Sequence, residues 1–231
     1  MRVHEAMTPE VKTVQTSTPF RRIVEVMTEN RISGIPVVDD STRVIGVVTE
    51  GDLVVKQNRG DRIGFRPPNS AIPSEREYAR RVQGTVAGAL MTKPAVTVDE
   101  DADLRMAARL MSQHRIGRLP VTSNGRLVGI LSRGDVLRVF LRPDEDIRRD
   151  VEQMLEQKVV ADTTGIKVDV ADGVVTLRGD VEQASTATVV GFHVDRCDGV
   201  TCVVNELSCQ TNDLEQPASV AAPLGAVELA L

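Results

Sequence analysis

Residues 46–52 read Gly-Val-Val-Thr-Glu-Gly-Asp, and 83 positions later residues 129–135 read Gly-Ile-Leu-Ser-Arg-Gly-Asp. Both stretches contain the pattern Gly-x-x-Thr/Ser-x-x-Asp, in which an apolar run ends at a hydroxyl residue and an aspartate follows three positions later. This order is typical of a strand that passes directly into a helix. Its return predicts two copies of one structural unit.

Two further blocks return in the same order. Residues 7–14, which begin Met-Thr, match residues 91–98, and residues 31–37, which contain Ile-Pro-Val, match residues 115–121. Both of these blocks are displaced by 84 positions, whereas the Gly-x-x-Thr/Ser-x-x-Asp block is displaced by 83. The second copy has therefore lost one residue before that block. Three blocks in one order argue strongly against chance similarity.

The first helix of each copy shows apolar residues at helical spacing. Thr18 precedes one helix as its predicted cap, before Pro19 at the first turn, and the acidic run 99–103 precedes the other. The apolar positions are Phe20, Ile23, Val24 and Met27 in the first copy and Leu104, Ala107, Ala108 and Met111 in the second.

The apolar runs after each helix predict a pair of strands. Residues 35–38 and 44–48 flank one polar turn, and residues 119–122 and 127–131 flank another that contains Asn124-Gly125, a strong hairpin signal. Each copy therefore reads as strand, helix, strand, strand, helix. We expect an α/β (α+β) fold with a small mixed sheet and helices on one side of it.

The repeated Gly-x-x-Thr/Ser-x-x-Asp block supports two interpretations. The hydroxyl of Thr49 or Ser132 can donate to a phosphate, and the carboxylate of Asp52 or Asp135 can accept hydrogen bonds from the hydroxyls of a ribose. The same residues also suit ordinary helix caps and strand ends. The spacing alone leaves both interpretations open.

The repeated blocks resemble a tandem cystathionine-β-synthase (CBS) domain pair, the Bateman module, over residues 1 to about 141. The resemblance implies a disc-like module with pseudo-twofold symmetry, usually a homodimer, with adenine-nucleotide clefts between the repeats. Matched by position, the implied roles fall on three groups of residues. Ribose would be held by Asp52 and Asp135, phosphate approached by Thr49 and Ser132, and adenine framed by Ile35, Leu119 and the backbone around Thr13 and Thr97.

The two copies differ at positions where the resemblance implies phosphate contacts. Arg118 precedes Leu-Pro-Val in the second copy, whereas Gly34 stands there in the first. Arg133 follows Ser132, whereas Glu50 is its acidic counterpart. Both differences point to the second repeat, and we expect the two clefts to differ in affinity.

The last third of the chain predicts a second fold. A helix begins near residue 144, a hairpin turns at Asp172-Gly173, a helix runs from Gly179-Asp180 to about Arg196, and a strand follows at 201–207. The order αββαβ resembles a BON domain, named for bacterial osmotically inducible and nodulation proteins. The resemblance implies binding of phospholipid or other partners, without catalytic residues.

The predicted boundaries divide the chain into five parts. They are repeat 1 at 1–56, a basic connector containing Pro and Gly at 57–84, repeat 2 at 85–141, the BON domain at 142–210 and a flexible tail at 211–231.

Composition sets the expected compartment and partners. Cys197, Cys202 and Cys209 match no familiar metal-ligand spacing, so we expect buried free thiols in a reducing cytoplasm and no metal. No apolar run is long enough for a membrane helix, and the N-terminus shows no export signal. Residues 1–141 hold 21 basic and 16 acidic residues, whereas residues 142–231 hold 7 and 17. This charge favours a phosphate-bearing ligand in the first part and argues against membrane lipid at the second.

These observations predict a regulatory protein and not an enzyme, since no nucleophile with a base, phosphate loop or metal cluster stands out. The expected ligand is ATP, ADP, AMP or S-adenosylmethionine, with no required cofactor, and the expected partners are a second copy through the repeats and a protein through the BON domain. The alternative is a membrane-surface or scaffold protein in which the repeats only dimerise. Nucleic-acid binding ranks last because aromatic platforms and a defined basic helix are missing.

Overall fold

Each copy of the repeat folds around its own three-stranded mixed sheet. The computed structural model describes residues 1–55, 83–158 and 165–214, and the chain divides into two units, Met1–Arg138 and Val139–Leu231. Most of the predicted connector at 57–84 and of the predicted tail at 211–231 lies outside the described residues.

The two copies have the same topology, and the predicted fold class is confirmed. In each, the first strand is parallel to the second and the second is antiparallel to the third. The elements of the first copy are α1 Val3–Ala6, β1 Val14–Gln15, α2 Phe20–Glu29, β2 Gly34–Val38, β3 Val44–Thr49 and α3 Glu50–Val54. Those of the second are α4 Ala87–Leu90, β4 Val98–Asp99, α5 Leu104–Gln113, β5 Arg118–Ser123, β6 Arg126–Ser132 and α6 Arg133–Leu137, followed by a 3-10 helix at Arg138–Leu141.

The helix that crosses each sheet buries a narrower face than its sequence predicts. In α2, Ile23 and Met27 are buried, but Val24 is 37% exposed. The prediction for Thr18 is wrong, because Pro19 takes the N-cap position and the Thr18 Oγ1 accepts a hydrogen bond from the Gln15 N–H at 3.0 Å. Asp103 does cap α5, accepting from the Arg105 N–H at 2.8 Å.

The predicted hairpin turn of the second copy is confirmed. Asn124 and Gly125 have φ angles of 50° and 78°, the left-handed pair of a type I′ turn. The longer turn of the first copy is held by Asp39, whose carboxylate accepts from the backbone N–H of Ser41 at 2.9 Å and of Arg43 at 2.8 Å.

The Met-Thr segment that opens each copy packs on the other copy. Thr8 exchanges two backbone hydrogen bonds of 3.0 Å with Ile130 in β6, and Thr92 exchanges two, of 2.9 and 3.1 Å, with Val47 in β3. Beside them, Met7 lies against Gly129, and Met91 lies against Gly46, where an added Cβ would be 2.6 Å from its sulfur. The glycine of each repeated block therefore admits a methionine of the opposite copy.

The second unit has the predicted order αββαβ. Its elements are α7 Asp144–Lys158, β7 Lys167–Ala171, β8 Val174–Gln183, α8 Ala184–Asp195 and β9 Cys202–Thr211. The central strand β8 is antiparallel to β7 and parallel to β9. Both helices contribute buried residues to one core with the sheet, including Ile147 and Val151 of α7 and Val190 and Val194 of α8.

Two contacts fix the ends of the helices of this unit. The Asp144 carboxylate accepts from the backbone N–H groups of Asp172 and Gly173, both at 2.8 Å, and so holds the Asp-Gly turn against the start of α7. Asp213 accepts from the Ser185 N–H at 2.9 Å at the start of α8. Hydrogen bonds from the Ser185 hydroxyl and from this N–H lower the pKa of Asp213.

The predicted start of the second helix at Gly179-Asp180 is wrong. Both residues lie in β8, paired with Leu207 and Ser208, and the helix begins at Ala184. The alternation of inward positions continues through Gly179 to buried Val181, so the strand period extends past the apparent turn signal. Gly179 has a φ of 136° and lies against the Gly165 carbonyl, which explains the glycine without a turn.

The expectation of buried thiols is wrong for two of the three cysteines. Cys197 is half-buried, but Cys202 and Cys209 are exposed. Both lie on β9, an edge strand of its sheet. Among the described residues, no helix is both long and apolar enough to cross a membrane.

We predict that each methionine is energetically coupled to the glycine it packs on, and that the coupling is larger for Met7 with Gly129 than for Met91 with Gly46. Gly129→Ala and Gly46→Ala should each lower the free energy of unfolding by roughly 1–3 kcal/mol, because the added methyl group overpacks the contact. Truncating Met7 should relieve most of the clash at Gly129, where the three atoms nearest to an added Cβ all belong to Met7. Truncating Met91 should relieve less at Gly46, since the Thr92 carbonyl remains 2.8 Å away.

Double-mutant cycles with Met7→Ala and Met91→Ala, followed by urea denaturation and circular dichroism, measure these couplings. Equal coupling energies in both cycles would contradict the prediction.

Candidate ligand-binding site between the repeats

The two repeated aspartates occupy the third position of short helices and close matching capping boxes. The Asp52 Oδ2 accepts from the Thr49 N–H at 2.9 Å and from its hydroxyl at 2.7 Å. The Asp135 Oδ2 accepts from the Ser132 N–H at 2.8 Å and from its hydroxyl at 2.6 Å. The capping interpretation therefore describes this structure, and each hydroxyl donates to its aspartate.

Burial distinguishes these aspartates from ordinary caps. Asp52 is 5% exposed and Asp135 is 8% exposed, and they are the two buried charged residues among the residues that the structure describes. Burying a carboxylate is costly unless it is fully hydrogen-bonded. Such groups are held in fixed positions, which suits them to orient a ligand.

The residue that binds the second aspartate is not repeated in the sequence of the first copy. Arg138 donates from Nη1 to the Asp135 Oδ1 at 2.9 Å. The corresponding residue of the first copy, 83 positions earlier, is Val55, which is buried and has no charge. The two copies therefore differ in charge three residues after the aspartate, although the aspartates themselves are equivalent.

Arg118 contacts both copies. Its Nη2 donates to the Ser33 Oγ at 2.6 Å and its Nη1 to the Gly117 carbonyl at 2.9 Å. A Cβ added to Gly34 would lie 3.2 Å from the Arg118 Cγ, so the glycine leaves room for the arginine stem. The Ser33 carbonyl accepts from the Glu50 N–H at 3.1 Å, which places the Arg118 guanidinium near the start of α3.

Arg133 remains within the second copy. Its Nε donates to the Ile116 carbonyl at 3.2 Å. Arg118 thus contacts Ser33 of the copy that contains Asp52, whereas Arg133 contacts Ile116 of the copy that contains Asp135. A phosphate contact by either arginine stays a prediction. We call the surroundings of Asp52 the first cleft and those of Asp135 the second cleft.

The residues predicted to frame adenine are brought together only through their backbones. Val14 pairs with Val37 and Val98 with Val121, so the backbones of Thr13 and Thr97 run beside β2 and β5 respectively. Thr13 is exposed and Thr97 is half-buried. The side chains of Ile35 and Leu119 are fully buried in the interior, so these two residues can offer a ligand only main-chain groups.

A cavity of about 510 Å³ lies between α5 and α6. Arg133 is the one predicted site residue on its wall, and Ser112 and Arg115 are polar residues there that the sequence analysis did not single out. Asp135 is not part of this wall. Among the described residues, no group of three or more His, Cys, Asp or Glu side chains is placed to hold a metal ion.

Family models match almost all of the described chain. The model of the CBS domain matches residues 3–58 and 86–142, and that of the BON domain matches residues 143–211. The chain belongs to the CBS-domain family, with a BON domain after the CBS pair. CBS repeat 1 is thus the copy that carries Asp52, and CBS repeat 2 the copy that carries Asp135.

Several curated proteins are similar to part of this chain. The chloroplastic CBS domain-containing protein CBSX2 of Arabidopsis thaliana is 32% identical over 161 residues, which are 65% of this chain and 66% of that protein. Uncharacterized protein YlbB of Bacillus subtilis is 36% identical over 111 residues, 48% of this chain and 62% of that protein. The match with these relatives spans less than two thirds of their own length.

A solved relative supports the fold of the pair. The crystal structure of CBSX2 in complex with AMP is 31% identical in sequence, with a TM-score of 0.52, and the match covers 61% of this chain and 96% of that one.

We predict that Arg118 and Gly34 are energetically coupled across the two CBS repeats. Arg118→Met should lower the free energy of unfolding by about 1.5–3 kcal/mol, because it removes two charge-assisted hydrogen bonds. Gly34→Val should destabilise the chain by crowding the Arg118 stem, and should cost clearly less in the Arg118→Ala background.

Thermal unfolding of Gly34→Val, Arg118→Ala and their double variant tests this coupling, and Arg109→Met on the exposed face of α5 is the control for Arg118→Met. Additive effects would show that Arg118 does not occupy the space above Gly34.

Proposed function

We propose that this protein is a non-catalytic regulatory protein whose CBS pair binds an adenosine-containing ligand such as ATP, ADP, AMP or S-adenosylmethionine. The observation that carries the proposal is the pair of buried, hydrogen-bonded aspartates at matching positions, Asp52 and Asp135. A relative of the CBS pair has been solved with AMP, which supports the ligand class.

The aspartates would bind ligand through hydrogen bonds additional to those of their capping boxes. In each box the Oδ2 is bound by backbone and hydroxyl donors, which orients the carboxylate rigidly. A carboxylate held in this way can accept hydrogen bonds from the vicinal hydroxyls of a ribose. Thr49 and Ser132 would contact phosphate only after their hydroxyls turn away from the aspartates.

Exposed apolar residues support a homodimer through the CBS pair. Val54 and Leu137 are 54% and 61% exposed at the ends of α3 and α6, and Val24 and Met106 are exposed on α2 and α5. Apolar side chains on four helices of one unit are suited to bury area against a second copy. The exposed thiols of Cys202 and Cys209 support a reducing cytoplasm as the compartment.

The BON domain would carry the response to the ligand. A ligand in the CBS pair changes the pairing or exposure of the BON domain only if it binds two arrangements of the protein with different affinities. The surface available for a protein partner is on α8, where Val189 and Phe192 are exposed and the Arg196 guanidinium lies 5.4 Å from the centre of the Phe192 ring. Aromatic and arginine side chains commonly dominate protein interfaces.

The exposed α8 face also favours a second candidate function, a scaffold in which the BON domain binds partners or lipid and the CBS pair only dimerises. The exposed sheet residues offer less apolar surface, because Arg178 pairs with Asp169 at 3.0 Å and with Glu206 at 2.7 Å. The hydrogen bond to Glu206 is the main cause of the raised pKa of Arg178. Nucleic acid ranks below both candidates.

We predict that AMP or a related adenosine ligand raises the thermal midpoint of the full chain. At a concentration of 100 times Kd, binding adds about 2.7 kcal/mol to the native state, which corresponds to roughly 5–10 °C. Asp52→Ala with Asp135→Ala should abolish the shift, and each single substitution should leave a part of it. Differential scanning fluorimetry with ATP, AMP and S-adenosylmethionine provides the measurement, and the absence of a shift with all of them would refute ligand sensing.

We further predict that the protein does not float with anionic liposomes, because residues 142–231 carry 17 acidic and 7 basic residues and repel such a surface. Flotation that is lost in Phe192→Asp, but retained in Ser208→Asp on β9, would instead establish the lipid-binding form of the second candidate.

A further inference from the structure

The cavity between α5 and α6 lies outside the capping box of the second copy. Its volume of about 510 Å³ is within the range of roughly 300–1,000 Å³ that small-molecule sites occupy. Neither Ser132 nor Asp135 is on its wall. We call this cavity the α5–α6 groove. Its wall residues are Ala108, Met111, Ser112 and Arg115 from α5 and the turn after it, and Arg133, Val136 and Leu137 from α6.

Helical spacing places the two arginines of the groove at one end. The α5 residues fall at i, i+3, i+4 and i+7 from Ala108, and the α6 residues at i, i+3 and i+4 from Arg133, so each set lines one face of its helix. The Arg133 Nε donates to the carbonyl of Ile116, the residue after Arg115, at 3.2 Å. Both guanidinium groups therefore lie where α5 ends and α6 begins.

Both arginines lack a carboxylate partner within residues 1–55, 83–158 and 165–214. In that part of the chain, the Arg115 side chain makes no hydrogen bond or ion pair, and Arg133 makes only its bond to Ile116. By contrast, Arg142 and Arg178 each bind a carboxylate at 2.7 Å. The wall itself contains no aspartate or glutamate. Two exposed guanidinium groups without a counter-charge favour an anion at this end of the groove.

The backbone does not require an arginine at position 115. Arg115 has a φ of 52°, in the left-handed region that follows the C-cap of a helix and that glycine adopts at least cost. Its N–H donates to the Ser112 carbonyl at 3.2 Å, a bond that glycine would retain. The arginine therefore stands here at a cost to the backbone, and its side chain lines the groove.

The rest of the wall is mainly apolar. Met111 is buried, Ala108 and Val136 are half-buried, and Leu137 is 61% exposed. This part of the wall extends over about 10 Å of α5, at 1.5 Å per residue from Arg115 back to Ala108. An inorganic anion would contact only the arginines and leave the apolar side chains in water. A ligand that combines one anionic group with an apolar body matches both parts.

We propose that the α5–α6 groove binds an organic carboxylate with an apolar body of about eight carbons, such as a medium-chain fatty acid. Arg115 and Arg133 bind the carboxylate, and Ala108, Met111 and Val136 pack on the body. The size of the body follows from the apolar wall, because a zigzag chain with bonds of about 1.5 Å covers about 10 Å with roughly eight carbons. This site is separate from the proposed adenosine site, and the inference does not rest on that function.

Isothermal titration calorimetry of the full chain with octanoate and 1-octanol tests the proposal. 1-Octanol has the same body without the charge and should bind at least about fivefold more weakly, because each exposed ion pair strengthens binding by a factor of up to about five. Hexanoate should bind several-fold more weakly than octanoate, since each buried methylene group strengthens binding up to about fourfold. Equal affinities for octanoate and 1-octanol would overturn the role of the arginines.

Three substitutions separate the two parts of the groove. Arg115→Gly removes one cation and suits the backbone, and Arg133→Glu reverses the other charge, so each should weaken octanoate at least about fivefold and change 1-octanol less than about twofold. Ala108→Val narrows the apolar wall and should weaken both ligands. Arg133→Glu and Ala108→Val introduce the residues that the first copy has at the matching positions, which favours folding of these variants. Arg109→Met, on α5 outside the wall, is the control and should change neither affinity.

The outcomes also distinguish alternative occupants of the groove. If Ala108→Val weakens self-association in sedimentation velocity while octanoate does not bind, a second copy occupies the groove and the proposal is overturned. If octanoate binds equally well in Arg115→Gly and is displaced by AMP, it lies in the second cleft, and the proposal is likewise overturned. Failure of octanoate to bind leaves the adenosine proposal standing, because the thermal shift with AMP tests that proposal separately. Circular dichroism of each variant confirms that the altered chain is folded.

Discussion

The packing of Met7 on Gly129 and of Met91 on Gly46 is the contact on which the CBS pair depends. Each methionine begins one copy and lies on the sheet of the other, beside two backbone hydrogen bonds. Neither copy therefore completes its sheet surface alone. Because β3 and β6 lead directly into α3 and α6, the same contact positions the two aspartates.

The capping boxes convert this scaffold into two rigid carboxylates. Asp52 and Asp135 each cap the start of a short helix with one oxygen, so the ligand-binding role proposed for them would fall on side chains that also stabilise the fold. The helix-cap interpretation and the ribose-binding interpretation of these aspartates are therefore compatible. The cap fixes the orientation in which the carboxylate is presented.

The symmetry of the pair is broken by a few side chains. Arg118 crosses to the first copy because Gly34 has no side chain in its way, and Arg138 binds Asp135 where Val55 is inert. These differences leave the topology of both copies unchanged. They alter the charge around each aspartate, and local charge strongly affects the binding of a phosphate-bearing ligand.

The sequence by itself determined the two repeats and the order of their strands and helices. It also determined the Asn124-Gly125 turn and the Thr/Ser-x-x-Asp spacing of the capping boxes. All of these depend on local periodicity and turn chemistry. It did not determine that β8 runs through Gly179, because a strand partner outweighs a local turn signal. Nor did it reveal that Cys202 and Cys209 are exposed, because the exposure of a strand residue depends on what packs over it in the folded chain. Only the tertiary structure decided which cleft Arg118 enters, because a long side chain between two copies can reach either, and the space left by Gly34 directs it to Ser33.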